Sequence, residues 1–290
     1  MKNLGYYNGK TGLIEEVTVP ITDRAFYFGD GVYDAVMCRN NIPYLLSEHI
    51  NRLYHNCALL SINVPKTKEE LAYLITQMCT RVDGEEKFVY FHVSRGSGIR
   101  NHEFTDTKGN LCIMIKPQKI DPVDEKMELC TTKDVRYSMC NIKTLNLLPS
   151  VLAAQHAKNN KCQETVFVRD GYVTECSHSN ISILKDKKLI TAPADCHILP
   201  GVTRAHLIES AKKNGIEVIE EKYTPSDMLS ADEIIVTSSS KMARGVSKID
   251  GKSVGGKDKK TLDLLTNDIY FDYINTTALN NFKDNMKSRG

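Results

Sequence analysis

No apolar run in this chain approaches the roughly 18–20 residues that a bilayer crossing requires, so no membrane-spanning role is expected. The opening segment, residues 1–10, lacks the apolar stretch of a signal peptide, and export is not expected. Neither sign of charge dominates. The 38 Lys and Arg against 36 Asp and Glu leave a net +2, which makes no electrostatic case for nucleic acid or an anionic membrane as a partner. The nine cysteines are odd in number and contain no C-x-x-C pair. That argues against a disulfide framework or a zinc knuckle and for thiols in a reducing cytoplasm. Internal repeats, low-complexity segments, G-x-S-x-G, a Walker loop and G-x-G-x-x-G after a strand are absent too. His49, His55, His92, His156, His178, His197 and His206 show no metal-ligand spacing with carboxylates or thiols, and no metal is expected.

What is present is ordinary globular text: 290 residues, 41% hydrophobic and 26% charged. That length supports a core needing no staple and suggests two domains or one large one. Asn8-Gly9 and Asn40-Asn41 are hairpin signals. A helix is expected from Ser47, as N-cap, to about Leu60, and another over 67–81 with Thr67 and Glu70 as a capping box. Residues 88–93 and 111–115 read as neighbouring strands joined by a long Gly-rich polar loop, 95–110. Proline and charge over Pro117–Lys126 mark a boundary. We expect a smaller α/β domain over 1–117, a linker over 118–127 and a larger domain over 128–290. Within the last, strands near 128–132, 164–169, 180–184 and 233–237 alternate with helices at 147–160, 203–213 and 259–275, with Gly215 as a C-cap. The class is α+β or mixed α/β.

Several stretches carry possible chemistry. Pro200-Gly201-Val202-Thr203 leads into a helix, whose N-terminal N–H groups suit an anion. Thr237-Ser238-Ser239-Ser240 is a second hydroxyl-rich turn after a strand, and two such turns can cradle one phosphate. Lys143 sits among apolar residues in a strand-like run, where a lowered pKa would make it a nucleophile toward a carbonyl. Glu175, after the Asp170-Gly171 turn, can pair with a protonated ring nitrogen. Arg100 and His102 stand at i and i+2, so in extended backbone both face one way, toward a single carboxylate. Each also has a plain alternative: a capped helix, a polar loop, a solvated lysine, a surface turn and solvated loop charges.

The order of these pieces is informative. Asp23-Arg24 and the run Phe28 to Asp34, then Glu48 to Leu53, then Lys143-Thr144-Leu145-Asn146, then Thr174-Glu175 with Ser179-Asn180, then Leu199 to Arg204, resemble the class IV, fold-type IV pyridoxal-phosphate aminotransferases over about residues 5–275. Within them, Arg95-Gly96 followed by residues 100–104, and residues 141–148, resemble the D-amino-acid aminotransferases most. The resemblance implies a two-domain fold with pyridoxal 5'-phosphate as cofactor. Lys143 would carry it as a Schiff base and Glu175 would pair with the pyridine nitrogen. Arg52, Val202, Thr203, Ser238 and Ser239 would hold the phosphate. Tyr33, Arg100 and His102 would trap the substrate carboxylate, with the arginine and histidine supplied by the other subunit of a homodimer, and Arg136 would line the site. The implied reaction is D-alanine plus 2-oxoglutarate to pyruvate plus D-glutamate.

Two features depart from the subgroup. His178, beside Glu175, stands where smaller residues are usual, and Ala35 with Met37 makes a pocket wall apolar, so a branched or aromatic D-amino acid is an alternative substrate. Transamination of L-branched-chain amino acids or amines, an aminodeoxychorismate-type lyase and a non-catalytic binding protein are the competing readings.

Overall fold

The computed structural model describes residues 1–278. They divide into two compact units that are discontinuous in sequence. The first holds Met1–Lys119, the short segment Ile142–Asn146 and the chain from Tyr273, while the second holds Ile120–Asn141 and Leu147–Asp272. The contiguous division expected from composition is therefore interrupted twice: the five residues around Lys143 pair with a strand far away in sequence, and the chain from Tyr273 returns to the first unit.

The first unit contains β1 (Leu4–Tyr7), β2 (Lys10–Gly12), α1 (Arg24–Phe28), β3 (Gly31–Arg39), β4 (Ile42–Pro43), α2 (Leu46–Leu59), α3 (Lys68–Cys79), β5 (Glu86–Ser94) and β6 (Asn110–Pro117). Its sheet runs β2-β1-β6-β5-β3-β4, antiparallel throughout. Both hairpin signals form. Asn8 and Gly9 have φ of 46° and 94°, Asn40 and Asn41 52° and 64°, the left-handed values that tight turns demand. β5 and β6 pair from Lys87–Pro117 to Ser94–Asn110, as expected for the two apolar runs. The α3 capping box forms with both of its bonds. Ser47 is not an N-cap. α2 starts at Leu46 after Leu45 at φ 54°, whose carbonyl already accepts from Glu48 and His49, so the chain enters the helix before Ser47 is reached.

The second unit contains β7 (Met127–Lys133), α4 (Leu148–Asn159), β8 (Glu164–Arg169), β9 (Tyr172–Cys176), β10 (Asn180–Lys185), β11 (Lys188–Thr191), α5 (Val202–Lys213), β12 (Glu217–Glu220), α6 (Pro225–Ser230), β13 (Glu233–Ser238), β14 (Met242–Ile249), β15 (Lys252–Ser253) and α7 (Lys259–Thr276), whose last residues belong to the first unit. The sheet order is β12-β11-β10-β13-β14-β7-β8-β9, with β15 on β14. One core, including Met127, Leu129, Val166, Ile181, Ile183, Ile234 and Val236, lies against it. Burying such a side chain contributes about 1.5–3 kcal/mol. The α5 C-cap is Asn214, one residue before the expected Gly215, which takes φ 72° just beyond. No helix among the described residues is long and apolar enough to cross a membrane.

Candidate active site

In the first unit, Lys143 is held by backbone pairing. Its carbonyl accepts from the Tyr33 N–H at 2.9 Å, the Leu145 N–H donates to Gly31, and Val32 and Thr144 form a bridge. Gly31 makes the approach possible: a Cβ there would lie 2.8 Å from the Leu145 side chain and 2.7 Å from the Val93 carbonyl. The strand-like run expected around Lys143 is thus a single bridge beside β3. The half-buried amine lies 4.3 Å from the centre of the Tyr33 ring, which stacks on Tyr90 at 5.4 Å. A cation so placed meets the negative ring face.

Arg52 is organised from below. Its Nε and Nη2 donate to the two oxygens of Asp34 at 2.9 and 2.8 Å, and His49 Nδ1 meets the same carboxylate at 2.7 Å. Asp34 is fully buried. Burial opposes its ionisation, but the Arg52 charge and the His49 contact outweigh it and hold the carboxyl well below its usual range. Burial lowers His49, favouring a neutral imidazole despite Asp34. Sequence reasoning assigned no role to Asp34 or His49. Their signal was the strand alternation that turns Asp34 away from Tyr33 and the i, i+3 spacing of His49 and Arg52.

Arg100 and His102 are both exposed, and both lie on Phe28: the Arg100 guanidinium at 5.0 Å from its ring centre, the His102 ring at 5.2 Å. The backbone there is bent rather than extended, and what the two side chains share is that ring.

In the second unit, Glu175 is buried at the end of β9. It accepts from Arg136 Nη1, from the Asn180 amide at 3.0 Å and from the Leu199 N–H at 3.0 Å. Arg136 is not merely nearby. It binds Glu175 directly and clasps Asp134 through Nε and Nη2. Burial works against the Asp134 carboxylate, yet hydrogen bonds from Arg136 and Arg169 bring it down to about 2. A carboxylate gripped this way stays ionised at neutral pH.

The two hydroxyl-rich turns converge on one side chain. Asn180 pairs with Thr237 in the β10–β13 register, and its Oδ1 sits 2.0 Å from where a Cβ on Gly201 would be. Gly201, Val202 and Thr203 open α5, whose first turn no side chain caps. The hydroxyls of Thr237 and Ser238 are buried without a hydrogen-bond partner. Orphaned hydroxyls beside an uncapped helix N-terminus fit a bound anion such as phosphate. Ser239 lies in the same turn. Behind it, fully buried Glu164 accepts from Lys241 Nζ at 2.6 Å, Ser179 Oγ at 2.8 Å and the His178 N–H at 2.8 Å. The Lys241 amine also meets His178 Nε2 at 3.2 Å. His178 is therefore engaged with Glu164 and Lys241, which sequence reasoning did not anticipate. Although no metal-ligand spacing is legible in the sequence, a tight turn brings the ligand atoms of the adjacent Asp195, Cys196 and His197 within 4.8 Å of one another.

The family profile of amino-transferase class IV matches residues 31–249. The chain belongs to the class IV aminotransferases. As an aminotransferase it is 39% identical over 246 residues to a D-alanine aminotransferase of Listeria monocytogenes serotype 4b, covering 83% of this chain and 85% of that protein. It is 32% identical over 254 residues to a D-alanine aminotransferase of Bacillus licheniformis, covering 86% and 89%. In fold it is similar to a T.th. branched-chain amino acid aminotransferase with pyridoxamine 5'-phosphate, at a TM-score of 0.85 and 22% identity over 95% of each chain. It also matches a fold IV transaminase of Curtobacterium pusillum, at 0.77 and 21% over 89% and 93%. The enzyme therefore has the two-domain fold of type IV aminotransferases, and its cofactor is that of the class, pyridoxal phosphate.

Proposed function

We propose that this aminotransferase acts on D-amino acids, converting D-alanine and 2-oxoglutarate to pyruvate and D-glutamate. The observation that supports the reading is the seating of Arg100 and His102 against the one ring of Phe28, side by side as a fork and a further donor would need to be to meet a single carboxylate. The D-alanine aminotransferases of Listeria and Bacillus support it.

Bound pyridoxal phosphate supplies an electron sink for the pair left when a substrate Cα loses its proton. The protein's residues do the rest. Lys143 Nζ would attach the cofactor and, once displaced by the substrate amine, carry the proton to and from Cα. Glu175, aimed by Arg136 and Asn180, would hold a proton on the ring nitrogen. Arg52, Val202, Thr203, Ser238 and Ser239 would hold the phosphate. Tyr33, Arg100 and His102 would grip the substrate carboxylate, fix which face of Cα meets Lys143 and so set chirality, with Arg136 lining the site.

We further propose a homodimer in which Arg100 and His102 serve the partner's site. Their exposure supports it, as does the apolar stripe of Leu148, Val151 and Leu152, 59–69% exposed along α4. A cytoplasmic setting fits the nine free cysteines. The test is the visible spectrum of the cofactor-loaded enzyme without keto acid. D-alanine alone should bleach the absorbance of the lysine-bound cofactor. Bleaching only by L-leucine overturns the D-specific reading, and no response to either points to an amine substrate or a lyase.

A further inference from the structure

The loop 95–110, which carries Arg100 and His102, is tied down by a buried arginine clamp. Arg24 and Arg95 share one carboxylate. Arg24 Nε donates to Asp30 at 2.8 Å, and Arg95 Nε donates to both Asp30 oxygens at 3.1 and 2.9 Å. The side chains of the two arginines are only 3% and 7% exposed. With its Nε so engaged, Arg24 spends its remaining nitrogens on consecutive loop carbonyls. Nη1 donates to Asn101 at 2.7 Å and Glu103 at 3.2 Å, and Nη2 to His102 at 3.3 Å. Its guanidinium also lies 4.9 Å from the centre of the Phe28 ring, the ring that Arg100 and His102 share. Arg24 and Phe28 begin and end α1 four residues apart, so both project from one helix face. Arg95 completes the clamp with its guanidinium 3.7 Å from the centre of the Phe104 ring and a bond from Nη1 to the Ser61 carbonyl.

A planar fork with five N–H groups is the side chain able to meet Asp30 and three carbonyls at once. A lysine keeps the charge but loses that geometry. Around His102 the loop has little other anchorage, since residues 100–104 are exposed and the His102 N–H bonds only to the adjacent Asn101 side chain.

We infer that Arg24, held by Asp30, is a positioning residue for substrate-carboxylate recognition: it sets the place of Arg100 and His102 by clamping the carbonyls of residues 101–103. This rests on the carboxylate-gripping role proposed above. Arg24 touches no substrate, so its effect should pass through the loop alone.

The experiment compares the wild-type holoenzyme with Arg24→Lys and, separately, Asp30→Asn. Three readouts are taken: steady-state kinetics with D-alanine, the spectrum of the bound cofactor, and the rate of tryptic cleavage after Arg100. Misplacing a binding group by about an ångström costs up to about 100-fold, so for R24K a rise in KM of about tenfold is expected, with kcat within about twofold. The spectrum of the bound cofactor should be unchanged, and cleavage after Arg100 should quicken. D30N, which releases both arginines, should act in the same direction and more strongly. Unchanged KM and unchanged cleavage in R24K overturn the inference. So does a loss of kcat or bound cofactor without a change in KM, which marks a merely structural role. If the wild type ignores D-alanine, the functional reading fails by itself, and cleavage after Arg100 still decides whether Arg24 orders the loop.

Discussion

Arg52 grips Asp34 with two parallel hydrogen bonds, Nε to Oδ2 at 2.9 Å and Nη2 to Oδ1 at 2.8 Å, in a site where the carboxylate has no exposure at all. The pair orients the guanidinium assigned to the cofactor phosphate. Removing one partner of a buried ion pair costs roughly 3–5 kcal/mol, and Asp34→Asn is expected to lower unfolding free energy by that order in urea titration. Because the folded carboxyl titrates below its unfolded value, its stabilisation is present above the unfolded pKa and lost as pH falls toward the folded one. The wild type should therefore lose stability as pH drops below about 4, and Asp34→Asn should show a shallower loss.

Ser238→Ala should separate apo stability from cofactor affinity. The hydroxyl is buried without a partner, and an unsatisfied buried polar group costs about 1–3 kcal/mol. The apo variant should melt at the same temperature or higher. Its dissociation constant for pyridoxal phosphate, read by fluorescence titration, should rise severalfold. A lower apo melting temperature with unchanged affinity would refute the phosphate assignment.

Gly201→Ala is expected to cost both. Its φ of −68° suits any residue, so the obstacle is steric: the new Cβ would meet Asn180 Oδ1 at 2.0 Å. Displacing Asn180 breaks its bonds to Glu175 and to the Leu199 carbonyl. Overpacking of this kind costs typically 1–3 kcal/mol, and calorimetry together with cofactor titration should show both losses.

Glu164→Gln tests the support behind the Ser238–Ser239 turn. Burial opposes the carboxylate, while the His178 and Lys241 charges pull its pKa below the ordinary value. The amide leaves the Lys241 ammonium without its counter-charge, and stability should fall by roughly 3–5 kcal/mol, as for other broken buried pairs. A change within about 0.5 kcal/mol would show that solvent already screens the pair.

His92 gives a pH signature of its own. Burial lowers its pKa to about 4, against about 6.5 unfolded. Between those values only the unfolded chain takes the proton, so stability should fall as pH drops from about 6.5 to about 4. His92→Gln should flatten that slope in denaturant midpoints measured across the interval.

Local signals were legible and long-range ones were not. The Asn8-Gly9 turn and the Thr67–Glu70 box depend on residues within one turn of each other, and both form as the sequence indicates. Ser47 failed as a cap because the left-handed Leu45, a consequence of how β4 delivers the chain, starts the helix first. Lys143, Glu175 and the two phosphate turns were visible as residue types in order. What holds them was not: Arg136 on Glu175, Asn180 between the turns, Asp34 beneath Arg52 and Arg24 on the loop all join residues distant in sequence or separated by a turn.

The amino-acid sequence by itself determined the class of this enzyme, because chemistry of this kind needs particular side chains in a particular order and that order survives as text. It determined most helices and strands too, through periodicity and capping that act over a few residues. Only the tertiary structure decided which carboxylates stay ionised and which arginines position and which bind. Those outcomes depend on burial and on partners far along the chain, as with Glu164 and Lys241, 77 residues apart, and a linear chain carries no record of either.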